Sequence, residues 1–128
     1  MRILLDTCTF LWIAQDAPQL SAVARDLYRD PTNEIYLSVV SAWEISVKYS
    51  LGRLPLPEPP AQFVPSRRKR YGLISLPVEE ESAVHEPKLP KLHADPFDRL
   101  LVCQSIVHGA AVLTPDRAIS QYPVRTLW

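Results

Sequence analysis

Four acids in this chain stand where side chains can do chemistry: Asp6, Glu44, Asp98 and Asp116. Each follows a short apolar run or opens a helical pattern. Carboxylates brought within a few ångströms repel one another, and their joint ionisation is costly unless a cation joins them. Mg²⁺ and Mn²⁺ favour oxygen ligands of this sort. Two such ions can activate water and stabilise the leaving oxygen of a phosphodiester, which outlines a nuclease site. Each acid also has a purely structural reading. Asp6 can cap the helix that follows it. Ser41-Ala-Trp-Glu44 matches a capping box, with Glu44 reaching back to the Ser41 backbone. Asp95-Pro96-Phe97-Asp98 matches an N-cap, a Pro at the first helical position and an acid in the first turn. Asp116 fits a turn or the cap of a short helix. Singly, each acid is more readily structural. Together they lie at helix starts or strand ends, where one sheet edge can gather them.

Around these acids stand helpers of lesser specificity. Asp95 fits an outer acid or a plain cap. Thr7 and Thr114 flank two of the acids, and their hydroxyls can hold a carboxylate or a cation's water. His93, two residues before Asp95, can bond a carboxylate or a phosphate, or simply face solvent. His85 and His108 lack a metal-ligand spacing with it. The run Arg67, Arg68, Lys69 and Arg70 reads as a solvated helix face or as a grip on phosphates. Arg99 is placed to steady a nucleic-acid strand or to pair with a carboxylate. No Gly-rich phosphate loop and no G-x-S-x-G elbow is present. A phosphoacceptor domain would need an Asp after a central mid-chain strand and a later Lys, and neither is found.

Elements that alternate in kind must position the acids. Arg2 to Leu5 reads as a buried strand ending in Asp6, and Thr7 to Gln15 as a helix. Ser21 caps a helix running to about Arg29. Ile35 to Val39 is the second strand, and Ser41 opens a helix that Gly52 ends. Leu54 to Pro60 is stiffened by prolines that lack N–H groups. Ala61 to Tyr71 is helical, with Pro65 limiting its first part. Leu73 to Leu76 is a strand, Val78 to Val84 a weak helix, and Pro87 to Pro90 a loop. Asp95 and Pro96 open the strongest helix, which stops at Gly109. Ala111 to Leu113 and Val124 to Leu127 complete the strands. Trp, Tyr and Leu residues at helical spacing, and Cys8, are assigned to the core. The order predicts an α/β fold, a parallel sheet covered on both faces. Ligands of such sheets bind beyond the carboxyl ends of the strands.

Composition narrows the class. The 128 residues are 47% hydrophobic and 22% charged, as expected of one globular domain able to bury a core. Formal net charge is zero, which argues mildly against a nucleic-acid binder but hides a basic run beside the acids. Cys8 and Cys103 lack the spacing of a zinc site or a disulfide scaffold, so reduced thiols and a cytoplasmic location are expected. No segment reaches membrane length and no secretory cleavage pattern is seen, so no membrane association is expected.

The motifs I-L-L-D-T at Asp6, S-A-W-E-I at Glu44, D-P-F-D-R-L-L at Asp95 and Asp98, and L-T-P-D-R-A at Asp116 resemble, in order and spacing, the acid motifs of PIN domains. The nearest likeness is to VapC-like toxins of bacterial toxin–antitoxin pairs, and it runs from Met1 to the closing V-R-T-L-W. The resemblance implies a three-layer fold, one PIN-like domain over residues 1–128 with about five parallel strands. It implies an endoribonuclease using Mg²⁺ or Mn²⁺, with Asp6, Glu44, Asp98 and Asp116 as the acidic quartet and Asp95 as an additional acid. It further implies an RNA substrate, a homodimer and a small antitoxin that covers the site. The sequence departs at Cys8, where relatives often carry a bulkier polar residue, and in the loose lead V-H-E-P-K-L-P-K-L-H into D-P-F-D-R. The second departure bears on the groove that would meet RNA. All four carboxylates are present, so an active enzyme is expected. The alternative is a non-catalytic module whose acidic pocket holds a cation or a basic peptide.

Overall fold

The computed structural model describes residues 1–128. Strand β1 (Arg2–Leu5) leads into helix α1 (Thr7–Gln15) and α2 (Ala22–Arg29). Strand β2 (Glu34–Ser38) is followed by α3 (Val39–Ser50) and α4 (Pro60–Arg70). Strand β3 (Ile74–Leu76) is followed by α5 (Glu80–Val84), a 3-10 turn at Glu86–Lys88 and α6 (Pro96–His108). Strand β4 (Ala111–Leu113), α7 (Arg117–Ser120) and β5 (Thr126–Leu127) close the chain. The five strands are all parallel, in the order β3-β2-β1-β4-β5.

The alternation of side chains along each strand divides the core. Ile3, Leu5, Ile35, Leu37 and Leu113 face α1 to α4, where Phe10, Ile13, Ala24, Ile45, Phe63 and Val64 meet them. Leu4 and Val112 face the opposite layer, built from Val40 and Leu101 in one cluster and Val102, Cys103, Ile119 and Tyr122 in another. Ile3, Leu4 and Leu5 are completely buried, so β1 is apolar on both faces, as a central parallel strand must be. Each such side chain contributes about 1.5–3 kcal/mol on leaving water. Phe10 and Phe63 meet edge to face, 6.1 Å between centroids. No helix is long and apolar enough to cross a membrane.

Chain order runs outward from β1 to β3 and then jumps back to β4 beside β1. The reversal opens a switch point at the carboxyl ends of β1 and β4. Helices α1, α3, α6 and α7 all begin at that same edge, because each follows a strand or returns antiparallel to one. Two ties hold them there. Thr9 Oγ1 donates to the Leu113 carbonyl at 2.8 Å, joining α1 to the end of β4. The fully buried Ser38 hydroxyl donates to Gln104 Oε1, and Gln104 Nε2 donates to the Pro77 carbonyl at 3.1 Å. Helix α6 is thereby bonded to the ends of β2 and β3.

Several expectations need correction. The cap of α3 is Ser38, whose Oγ accepts the Val40 N–H at 3.0 Å. The helix therefore starts at Val39, and Ser41 lies inside it. Ile35–Val39 reads as one strand because the β-branched Val39 continues the strand-like pattern past Ser38. Pro65 sits inside α4 without ending it, and Pro60 occupies its first turn. The segment after α5 forms a 3-10 turn, and the last strand is only Thr126–Leu127. Trp43 is 64% exposed rather than core. It borders a 560 Å³ surface hollow lined by Val39, Val40, Val78, Phe97 and Leu100.

Ser38 both caps α3 and bonds Gln104. Ser38→Ala is expected to cost about 1–3 kcal/mol in urea unfolding, because the cap is lost and a buried Gln104 oxygen is left unpaired. An unchanged urea midpoint would show that neither bond holds the edge together.

Candidate active site

Strand β1 delivers Asp6 to the carboxyl edge. There its Oδ1 accepts the Thr9 N–H at 2.7 Å and caps α1. Leu5 pairs with Leu113 across the sheet, so the next residues, Asp6 and Thr114, are neighbours. The Thr114 hydroxyl donates to Asp6 Oδ2, and Thr114 Oγ1 accepts the Asp116 N–H at 3.0 Å. Asp6 is 5% exposed and has no Lys or Arg within ion-pair distance. Burial raises its carboxyl above the ordinary range; the bonds from Thr114 and Thr9 oppose this, and the charge of Asp116 adds to it.

Glu44 projects from the second turn of α3 and is also buried. It does not reach back to a cap. Thr7 Oγ1 lies 2.7 Å from Glu44 Oε1 and 3.0 Å from Ser41 Oγ, while Lys48 pairs with the other carboxylate oxygen. The capping-box spacing is thus a coincidence of two residues one helical turn apart. Thr7 couples the start of α1 to α3.

Asp98 stands in the first turn of α6, below the cap. Asp95 Oδ1 accepts the N–H groups of Phe97 at 2.9 Å and Asp98 at 3.1 Å. The Asp98 carboxyl is pushed up to about 6, first by burial and then by the charge of Asp95, with Glu44 and Asp116 adding and the bond to His93 opposing. Asp116 caps α7, accepting the Ala118 N–H at 2.8 Å, and is exposed. The four acids therefore rise from the starts of α1, α3, α6 and α7 onto one edge, where Asp98 feels the charges of Glu44 and Asp116, and Asp6 that of Asp116.

They do not form a closed cage. No three Asp, Glu, His or Cys side chains stand at ligand distances from a common point. None of the three surface cavities is lined by the quartet, although a 570 Å³ hollow lined by Lys91, Leu92, His93 and Arg99 adjoins Asp98. In donor chemistry the acids suit a hard divalent cation: all offer oxygen, and the fold disfavours ionisation of the buried Asp6 and the half-buried Asp98. To take one, their side chains must converge from these positions.

The basic residues expected to meet RNA are mostly engaged elsewhere. Arg99 is 8% exposed. Its Nε and Nη2 contact the Glu86 carboxylate at 2.8 and 2.7 Å, and Nη2 also reaches the Glu86 carbonyl at 3.3 Å. Its Nη1 donates to the Pro90 carbonyl at 2.9 Å and the Tyr122 hydroxyl at 3.1 Å. All five donors of the guanidinium are taken, so Arg99 is a structural pair and not a free hand for a strand. Arg67 pairs with Glu58 and covers Phe63, and Arg68 donates to the Leu37 carbonyl at 2.9 Å. Lys69 and Arg70 are exposed, at the end of α4 just before β3. No cation of the run pairs with an acid of the quartet.

Two other residues differ from expectation. Cys8 is exposed at the acid rim rather than turned to the core. Partial desolvation, with Asp6 and Glu44 close by, still pushes its thiol up to about 11, so it stays protonated and weakly nucleophilic. Lys48, half exposed beside Glu44, was passed over in the sequence. Its spacing of four from Glu44 along a helix was the available signal.

The sequence matches the PIN domain family model over residues 3–124. It is similar to Ribonuclease VapC16 of Mycobacterium tuberculosis, 44% identical over 72 residues, a stretch covering 53% of this chain and 51% of that protein. The chain thus spans about half the length of the curated relative it matches. In fold it resembles VapBC2 of Rickettsia felis, solved bound to a DNA fragment from their promoter, with a TM-score of 0.73 and 15% identity over 99% of this chain and 98% of that one. It also resembles VapBC-1 of nontypeable Haemophilus influenzae, with a TM-score of 0.59 and 15% identity over 99% and 97% of the two chains. With a five-stranded parallel sheet in a three-layer frame, acids at its carboxyl edge and a family match spanning nearly every residue, the chain belongs to the PIN domain family.

Proposed function

We propose that this chain is a Mg²⁺- or Mn²⁺-dependent endoribonuclease, acting in the cytoplasm as the toxin of a toxin–antitoxin pair. The observation that carries this reading is the gathering of Asp6, Glu44, Asp98 and Asp116 on one sheet edge. Two of them are held at raised pKa with no Lys or Arg partner. Family membership and the 44% identical relative called a ribonuclease support it.

In this reading the four carboxylates hold the cation. Such an ion, when bound, supplies Lewis acidity toward a phosphodiester. The chain's own groups set the geometry. Thr114 ties Asp6 to the backbone of Asp116, and Thr7 aims Glu44. Lys48 is the basic side chain at the rim placed to receive a phosphate oxygen. An RNA strand as substrate, a small antitoxin and a second copy of the chain as partners belong to the same reading, and the family resemblance supports them.

Purified, EDTA-treated protein is expected to leave RNA intact and to cut it when Mg²⁺ or Mn²⁺ is restored, as read on a gel. Intact RNA with either ion would turn the reading to the non-catalytic acidic module. Asp6→Asn and Asp98→Asn are expected to abolish cleavage while unfolding free energy stays within roughly 1–2 kcal/mol of the parent or rises, since repulsion is relieved. Folded variants that still cut RNA would remove these two acids from the chemistry.

The pH dependence has a definite sign. Below about 6 a proton competes with a cation for Asp98, so Mn²⁺ affinity of the metal-free protein should fall about tenfold per pH unit there and level off above. A carboxyl raised in the fold adds stability that is fully present below its ordinary 3.8 and is lost as pH climbs through about 6. Thermal melts of metal-free protein should show this loss, and Asp98→Asn should reduce it.

A further inference from the structure

A chain of polar contacts enters the acid edge from the buried layer behind α6. Glu86 grips Arg99, Arg99 Nη1 donates to the Tyr122 hydroxyl at 3.1 Å, Tyr122 Oη lies 2.6 Å from His93 Nδ1, and His93 Nε2 lies 3.2 Å from Asp98 Oδ2. Tyr122 is 3% exposed and packs with Leu89, Val102 and Ile119. Its ring stands 5.4 Å from that of His93, so the hydroxyl is held in one place.

We propose that His93 is the positioning residue for the Asp98 carboxylate, its imidazole locked as the Nε2–H tautomer by Tyr122 and Arg99. The argument is one of donors and acceptors. A guanidinium only donates. The Tyr122 oxygen accepts from Arg99, and the ionised Asp98 carboxylate can only accept, so the neutral ring carries its proton on Nε2 and its bare Nδ1 takes the Tyr122 hydrogen. The ring proton left on Nε2 points at Asp98 Oδ2. One carboxylate oxygen is thus held from behind, and Oδ1 is left to face the acid rim. Carboxylate ligands oriented by such outer bonds bind cations more tightly. Arg99, which cannot meet RNA, acquires a role in this way, through Tyr122.

The inference rests on the ribonuclease reading only in giving Asp98 a cation to hold. Imidazole ¹⁵N NMR of metal-free protein at pH 8 reads the tautomer without RNA or metal. We expect a bare Nδ1 and a protonated Nε2 for His93, and a mixture of tautomers in Tyr122→Phe. Titration with Mn²⁺ should show about tenfold weaker binding in Tyr122→Phe and His93→Ala. His93→Gln, whose amide N–H can stand where Nε2–H does, should restore most of the loss. A wild-type His93 protonated at Nδ1 overturns the proposal, as does unchanged Mn²⁺ affinity in Tyr122→Phe. If Tyr122→Phe fails to fold, the two His93 variants decide: a glutamine as weak as the alanine overturns it. A protein that shows the Nε2–H pattern and binds Mn²⁺ yet cuts no RNA sinks the ribonuclease reading and leaves this one standing.

Discussion

Mutual repulsion among carboxylates at one sheet edge is the constraint around which this molecule is arranged. Nothing in a hydrophobic core offsets it, so the fold must supply local donors. Asp6, Asp95 and Asp116 each accept backbone N–H groups at a helix start, where the unpaired amides and the helix dipole favour negative charge. Thr114 and Thr7 add hydroxyl donors to Asp6 and Glu44, and Lys48 adds a full charge to Glu44. The offset is incomplete at Asp6 and Asp98, whose carboxyls stay above their ordinary range. The same bonds that make these acids good caps therefore leave a site in want of a cation. Capping and chemistry are not competing readings at Asp6 and Asp116, where one carboxylate oxygen caps a helix and the other is left off the helix backbone.

The scaffold behind the acids is rigid for a separate reason. Its polar ties are paired, and all but the Glu86 end of one are buried. Ser38 with Gln104, Thr9 with the end of β4, and Arg99 with Glu86 each join an acid-bearing element to a different part of the sheet or the layer behind it. Buried polar groups that lose a partner are costly, so each tie favours one arrangement of the elements. Tyr122 and His93 extend this logic from the interior to the Asp98 carboxylate.

The fold was largely legible in the sequence. Apolar runs of strand length alternate with helix-length segments, and a parallel sheet with covered faces follows, because a strand buried on both sides must be apolar throughout, as Ile3–Leu5 is. Boundaries were least legible where strand-forming residues continue past the capping residue. The passage from β2 into α3 through Ser38-Val39-Val40 is the clearest case. Single-residue roles were hardest where contacts are distant in sequence. Trp43 has an apolar side chain on a helix yet faces solvent, and Cys8 lines the acid rim.

Local residue order settles the cast: four carboxylates at strand ends and helix starts, and the alternation that must bring those points to one edge. Long-range packing settles the pairing. Thr7 meets Glu44 across 37 positions, Thr114 meets Asp6 across 108, and Arg99 is taken up by Glu86 and Tyr122. Which donor reaches which acid depends on strand order and helix packing, and these are set by burial of the whole apolar pattern rather than by any local spacing.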